Sequence, residues 1–104
     1  MPPSVLRNNS ADHRYELFEN DEVVAIAQYR VAENAVTITH TKVDAENEGK
    51  GHGSELARQV LDDIKARGMR VVPACQFIAS FIGKNAQYRD LVAPERVDKT
   101  GVNE

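Results

Sequence analysis

The sequence predicts an α/β (α+β) fold: an antiparallel strand meander, a glycine loop, a helix, a parallel strand and one or two C-terminal helices. Three observations carry this. Val23–Val31 and Ala35–Val43 are long β-branched runs separated only by the turn Ala32-Glu33-Asn34. Gly49, Gly51 and Gly53 alternate between the last of these strands and an amphipathic stretch. Pro73 then divides a short apolar run from a second set of helically spaced apolar residues.

Taken in order, residues 1–12 are polar and proline-bearing and read as a flexible arm. His13–Phe18 is a short strand, and Glu19-Asn20-Asp21-Glu22 is a turn, since Asn and Asp tolerate left-handed geometry. Val23–Val31 and Ala35–Val43 follow. Regular alternation puts Val36, Ile38, His40 and Lys42 on one face of the latter, with Thr37, Thr39, Thr41 and Val43 on the other. The helix runs from Ser54 to Arg67, with Leu56, Ala57, Val60, Leu61 and Ile64 as its apolar stripe and Gly68 at its end. A helix between two strands implies a crossover, so Met69–Val72 should lie parallel to Ala35–Val43. Phe77, Ile78, Phe81 and Ile82 mark another helix, and 86–92 a short final one anchored by Tyr88, Leu91 and Val92. Residues 13–92 thus form one domain, followed by a charged tail over 93–104.

Composition narrows the function. A chain of 104 residues makes one small domain. A formal charge of −3 without a basic block argues against nucleic acid, and no apolar run approaches a membrane span. Cys75 is the sole cysteine, so no internal disulfide forms, which fits a reducing cytoplasm. His13, His40 and His52 show no metal-ligand spacing.

The glycine loop is the chemical feature. Glycine permits positive φ and close approach of the backbone to a ligand. The first amides of the helix lack internal partners, and its dipole adds partial positive charge. A phosphate or diphosphate is the natural guest, although three glycines also simply make a turn. The spacing fits neither a nucleotide triphosphatase loop nor a dinucleotide-binding one.

In this order the parts resemble the acetyl-CoA-binding half of the GNAT superfamily of N-acetyltransferases. The family signature Gln/Arg-x-x-Gly-x-Gly/Ala reads Glu48-Gly49-Lys50-Gly51-His52-Gly53 here. The chain is most similar to minimal single-domain members, through His40-Thr41, Pro73-Ala74-Cys75-Gln76-Phe77 and Tyr88-Arg89-Asp90-Leu91-Val92. Glu48 departs from the usual Gln or Arg, with Glu46 and Glu55 nearby, so the loop would lean on backbone amides rather than side-chain charge.

The resemblance implies an acetyl-CoA-dependent transferase acting on an amine. The cofactor's diphosphate would sit on Glu48, Gly49, Lys50, Gly51, His52, Gly53 and Ser54, and its pantetheine arm along Thr41, Lys42 and Val43. His40 would serve as base or be a histidine satisfied within the sheet. Cys75 would line the thioester pocket, act as general acid, form an acyl-cysteine or simply pack in the core. Asn85 would meet the pantetheine or break a helix, and Lys84 or Arg89 would meet the 3′-phosphate or stay solvated. Tyr88 is expected to pack in the core. An amine-bearing small molecule or protein is the implied partner. The alternatives are a CoA-binding module without efficient catalysis and a phosphate-binding interaction protein.

Overall fold

The computed structural model describes residues 4–44 and 51–93. Its order is β1 (Val5–Asn9), a 3-10 turn (Ser10–Asp12), β2 (Arg14–Glu19), β3 (Glu22–Ala32), β4 (Ala35–Val43), α1 (His52–Ala66), β5 (Arg70–Pro73), α2 (Gln76–Lys84) and a 3-10 helix (Ala86–Leu91). The strands form one sheet in the order β1-β2-β3-β4-β5. Neighbours are antiparallel except β4 and β5, which run parallel on either side of the α1 crossover. The expected α/β fold is therefore present. Among the described residues no helix is long and apolar enough to cross a membrane.

Both helices pack on one face. The stripe of α1 (Leu56, Ala57, Val60, Leu61, Ile64) is wholly buried against Tyr15, Leu17, Ala25, Ala27, Tyr29 and Ile38. Burying each large side chain contributes roughly 1.5–3 kcal/mol, which is what fixes the helix on the sheet. Ile78 and Ile82 anchor α2 beside it. Two tyrosines tie the outer side of α1 down: Tyr15 donates to Asp63 and Tyr88 to Asp62, each at 2.8 Å. Among the described residues no helix covers the opposite face of the sheet.

Two expectations are corrected. The segment read as a loose arm contains a strand: Val5–Asn9 pairs in full with residues 14–18 of β2, and the arm becomes the edge of the sheet. The regular alternation along β4 also fails. Gln28 pairs with His40 but Tyr29 with Ile38, so Thr39 is an extra residue in a β-bulge, its hydroxyl donating to the Gln28 carbonyl at 3.4 Å. A one-residue bulge exchanges the faces of everything after it. Val36 and Ile38 face the helices, but beyond the bulge Thr41 and Val43 take that face. His40 and Lys42 turn to the bare side and are exposed.

The Tyr88 hydroxyl makes alkaline stability testable. Burial and its bond to the Asp62 carboxylate push it from 10.0 up to about 12. The neutral phenol is the form that folding favours. Its contribution is therefore complete below pH 10.0 and is lost as pH rises through about 12. Tyr15 is raised further, so it titrates beyond this window. Urea midpoints measured across the alkaline range should fall less steeply for Tyr88→Phe than for the wild type; identical slopes would contradict the assignment.

Candidate functional site

The site begins where β4 and β5 separate. Their pairing runs Ala35–Arg70, Val36–Val71, Thr37–Val72 and Ile38–Pro73, and stops there. Arg70 donates to Asn34 beside β4, so by alternation the next donor on that side after Val72 is the Ala74 amide. The Ala74 amide instead turns back to the Val72 carbonyl at 3.0 Å, steering the chain away into α2. β4 continues alone to Val43. The Asp44 amide bonds the Val24 carbonyl on β3 at 2.9 Å, so by alternation the amides of Thr41 and Val43 point to the side β5 has vacated.

A cleft of about 540 Å³ opens there, lined by Thr41, Val43, Gly51, His52, Gly53, Ser54 and Phe77. The start of α1 closes one end. Gly51 caps the helix in the left-handed region (φ 81°), a conformation that favours glycine. The first internal bond of α1 is Glu55 N–H to Gly51 carbonyl, so the amides of His52, Gly53 and Ser54 precede the ladder, and among the described residues no side chain caps them. Gly53 keeps this end open to a close neighbour. A Cβ there would stand 2.9 Å from the tip of the Phe77 ring and 3.4 Å from Val43.

Charge around the helix start is neutralised locally. Burial raises the Glu55 carboxyl, but hydrogen bonds from Gln59 and Arg58 outweigh it and hold it below the usual range. His52 is buried, with Nε2 3.1 Å from Glu19 on β2 and, among the described residues, no partner for Nδ1. Glu19 thus braces the first residue of α1 from across the sheet.

Cys75 sits at the other end, as the residue before α2, with its sulfur 3.3 Å from the Thr41 hydroxyl. Burial pushes its thiol up. Hydrogen bonds from the Thr41 hydroxyl and from the amides of Ile78, Phe77 and Thr41 overcome this and set it below the ordinary thiol value. A thiol of this kind is more often thiolate near neutral pH than a free cysteine.

The structure brings Thr41, Val43, Gly51, His52, Gly53 and Ser54 to one cleft, with Cys75 against Thr41. Glu48, Gly49 and Lys50 lie outside the described residues. His40 and Lys42 stand on the opposite face of β4. Asn85 turns its amide back to the Phe81 carbonyl at 2.8 Å and ends α2. Lys84 is exposed on the last turn of α2, and Arg89 donates to the Gly83 carbonyl at 3.3 Å. Phe77 and Glu19 were not singled out by the sequence. Phe77 reads as one more apolar helix position and Glu19 as part of a turn; nothing local marks either.

Comparison with known proteins agrees with this layout. Residues 14–91 match the family model described as GCN5-related N-acetyl-transferase. No curated protein matches the chain. Among solved structures, it is similar to a GCN5-like candidate N-acetyltransferase of Staphylococcus aureus (21% identity, TM-score 0.65, 86% of this chain and 87% of that one). It is also similar to the ribosomal-protein-S18-alanine N-acetyltransferase of Escherichia coli (22%, 0.56, 70% and 50%). A third is the IAA acetyltransferase of Bacillus cereus (19%, 0.52, 69% and 52%). The chain thus spans about half the length of the latter two.

The contact between Thr41 and Cys75 has a measurable signature. The rate of alkylation of Cys75 by iodoacetamide, followed against pH, should rise at lower pH than for a free cysteine. Thr41→Val should move the midpoint upward. A wild-type midpoint at or above that of the free thiol would contradict the contact.

Proposed function

Because the chain belongs to the GCN5-related N-acetyltransferase family, we propose that it uses acetyl-CoA to acetylate an amine. The observation that carries this reading is the parting of β4 and β5 beyond Ile38 and Pro73, which leaves a groove between the start of α1 and Thr41, whose hydroxyl meets the Cys75 sulfur. The residues present fit the cofactor. The amides of His52, Gly53 and Ser54, with the positive end of the α1 dipole, suit a diphosphate. The Thr41 and Val43 amides, freed of a strand partner, suit an extended amide-bearing arm that adds to the sheet. Phe77 and Val43 supply apolar walls.

Bound acetyl-CoA would supply an acetyl group activated as a thioester. The protein's own residues would do the rest. An amide of β4 aimed into the gap would stabilise negative charge developing on the carbonyl oxygen; one such donor contributes roughly 3–4 kcal/mol where it has been removed. The acceptor must be a neutral amine, and an alkyl ammonium has a pKa of about 10.4, so its proton must leave. His40 is the exposed imidazole nearest this stretch of β4, and water would carry the proton to it. Cys75 lies where it can line the thioester end or return a proton to the departing thiolate. Among the described residues no group of three or more His, Cys, Asp or Glu could hold a metal ion.

A second reading is a CoA-binding module without efficient turnover. One observation favours it: among the described residues nothing fixes the His40 ring. Titration of isotope-labelled protein with acetyl-CoA should shift the amides of Thr41–Val43, Gly51–Ser54, Cys75 and Asn85, and free CoA should appear with a suitable amine. His40→Ala and Cys75→Ala should lower turnover more than cofactor affinity. Shifts confined to 51–54 would favour simple phosphate binding. Binding without CoA release across an amine panel would favour the module.

A further inference from the structure

The bare face of the sheet carries a charge opposite to that of the chain as a whole. Its positions, set by register, include Arg7, Arg14, Arg30, His40 and Lys42, with Gln28 and Ile26 among them. Two carboxylates share this surface: Asp44, beside Lys42 at the end of β4, and Glu16. Arg14 holds Glu16 at 2.8 Å and Asn9 at 3.2 Å, and those bonds keep it below the usual carboxylate range despite some burial. Among the described residues, Arg7, Arg30 and Lys42 make no ion pair. The formal charge of the chain is −3. Other carboxylates stand at strand ends and turns, such as Asp12 and Glu33, or on α1.

This face also gives access to the groove. β4 and β5 no longer pair beyond Ile38 and Pro73, so the sheet is open there between its two sides. The groove occupies the helix side, and the bulge at Thr39 turns His40 to the bare side. An acceptor arriving from the bare side meets His40 first.

Resting on the acetyltransferase reading, we propose that the bare face is the acceptor side and that it takes an acidic peptide, whose free amine enters the gap beside His40. The spacing supports this. Neighbouring strands lie about 4.8 Å apart and same-face residues along a strand about 6.8 Å. Lys42, Arg14 and Arg30 therefore lie roughly 7–10 Å from His40. An extended peptide advances about 3.4 Å per residue, so its carboxylates belong about two to three positions from the reacting amine. A continuous polyanion such as nucleic acid fits less well, since it would run past the cations onto the rim carboxylates.

The test titrates labelled protein at low salt with three peptides of equal length and free N-terminus, rich in Glu, Gln or Lys. The Glu peptide should bind about ten-fold more tightly than the Gln peptide, with shifts at Arg30, His40 and Lys42. The preference should vanish near 0.5 M salt, where the screening length falls to a few ångströms. Arg7→Glu with Arg30→Glu should abolish it while the acetyl-CoA shifts at 51–54 persist, which also shows that the variant folds. Equal affinity for the Glu and Gln peptides, shifts confined to the helix side, or tighter binding of a short DNA duplex would each overturn the proposal. Acidic-peptide binding in a protein that ignores acetyl-CoA would remove the acetyltransferase reading and the acceptor role with it. Acetyl-CoA binding without peptide preference would remove the docking proposal alone.

Discussion

Everything in the site follows from a ladder that stops. β4 and β5 are parallel neighbours for four residue pairs and then diverge, because the Ala74 amide, the next donor toward β4, bonds back to Val72 instead. Had the pairing continued, the amides of Thr41 and Val43 would be spent within the sheet. Instead they face a groove whose walls are the start of α1 and the ring of Phe77. Unpaired strand edges normally invite association. Here α1 and α2 shelter the edge, which leaves room for a single extended ligand rather than another sheet.

The second constraint is the bulge at Thr39. It lets β4 serve two faces in succession: Val36 and Ile38 fill the core, then Thr41 and Val43 line the groove. The same shift carries His40 to the opposite side. A groove on one face and an imidazole on the other, joined through an opening between strands, is an arrangement in which two substrates can approach from two sides. Cys75 stands at the crossing point, tied to Thr41.

Much of the frame was legible in the sequence. The β-branched runs and the Leu56–Ile64 stripe have periods that only a strand and a helix satisfy, and a helix between strands required the parallel pairing of β5. The glycine loop was legible as a helix start, because Gly51 takes the positive φ that glycine alone adopts easily. β1 was not, since Val-Leu-Arg-Asn-Asn has too little β-branched content to declare itself and becomes a strand only by pairing with β2. The bulge was hidden for another reason: Thr-Ile-Thr-His-Thr offers side chains that suit either face. The brace from Glu19 to His52 and the contact between Gly53 and Phe77 join residues far apart in the chain, so no local pattern could announce them. Asn85 shows the converse. Its amide has a local use, ending α2, that its sequence position equally allowed.

The groove-facing amides of β4 have no strand partner until a ligand takes them, and of the two the Thr41 amide already meets the Cys75 sulfur. Amide hydrogen exchange at Val43, compared with and without acetyl-CoA, tests this most directly. Exchange should be fast in the free protein and slow markedly when acetyl-CoA is bound, while Ile38, already in the ladder, changes little. Slow exchange at Val43 in the free protein, or no slowing on addition of acetyl-CoA, would contradict it.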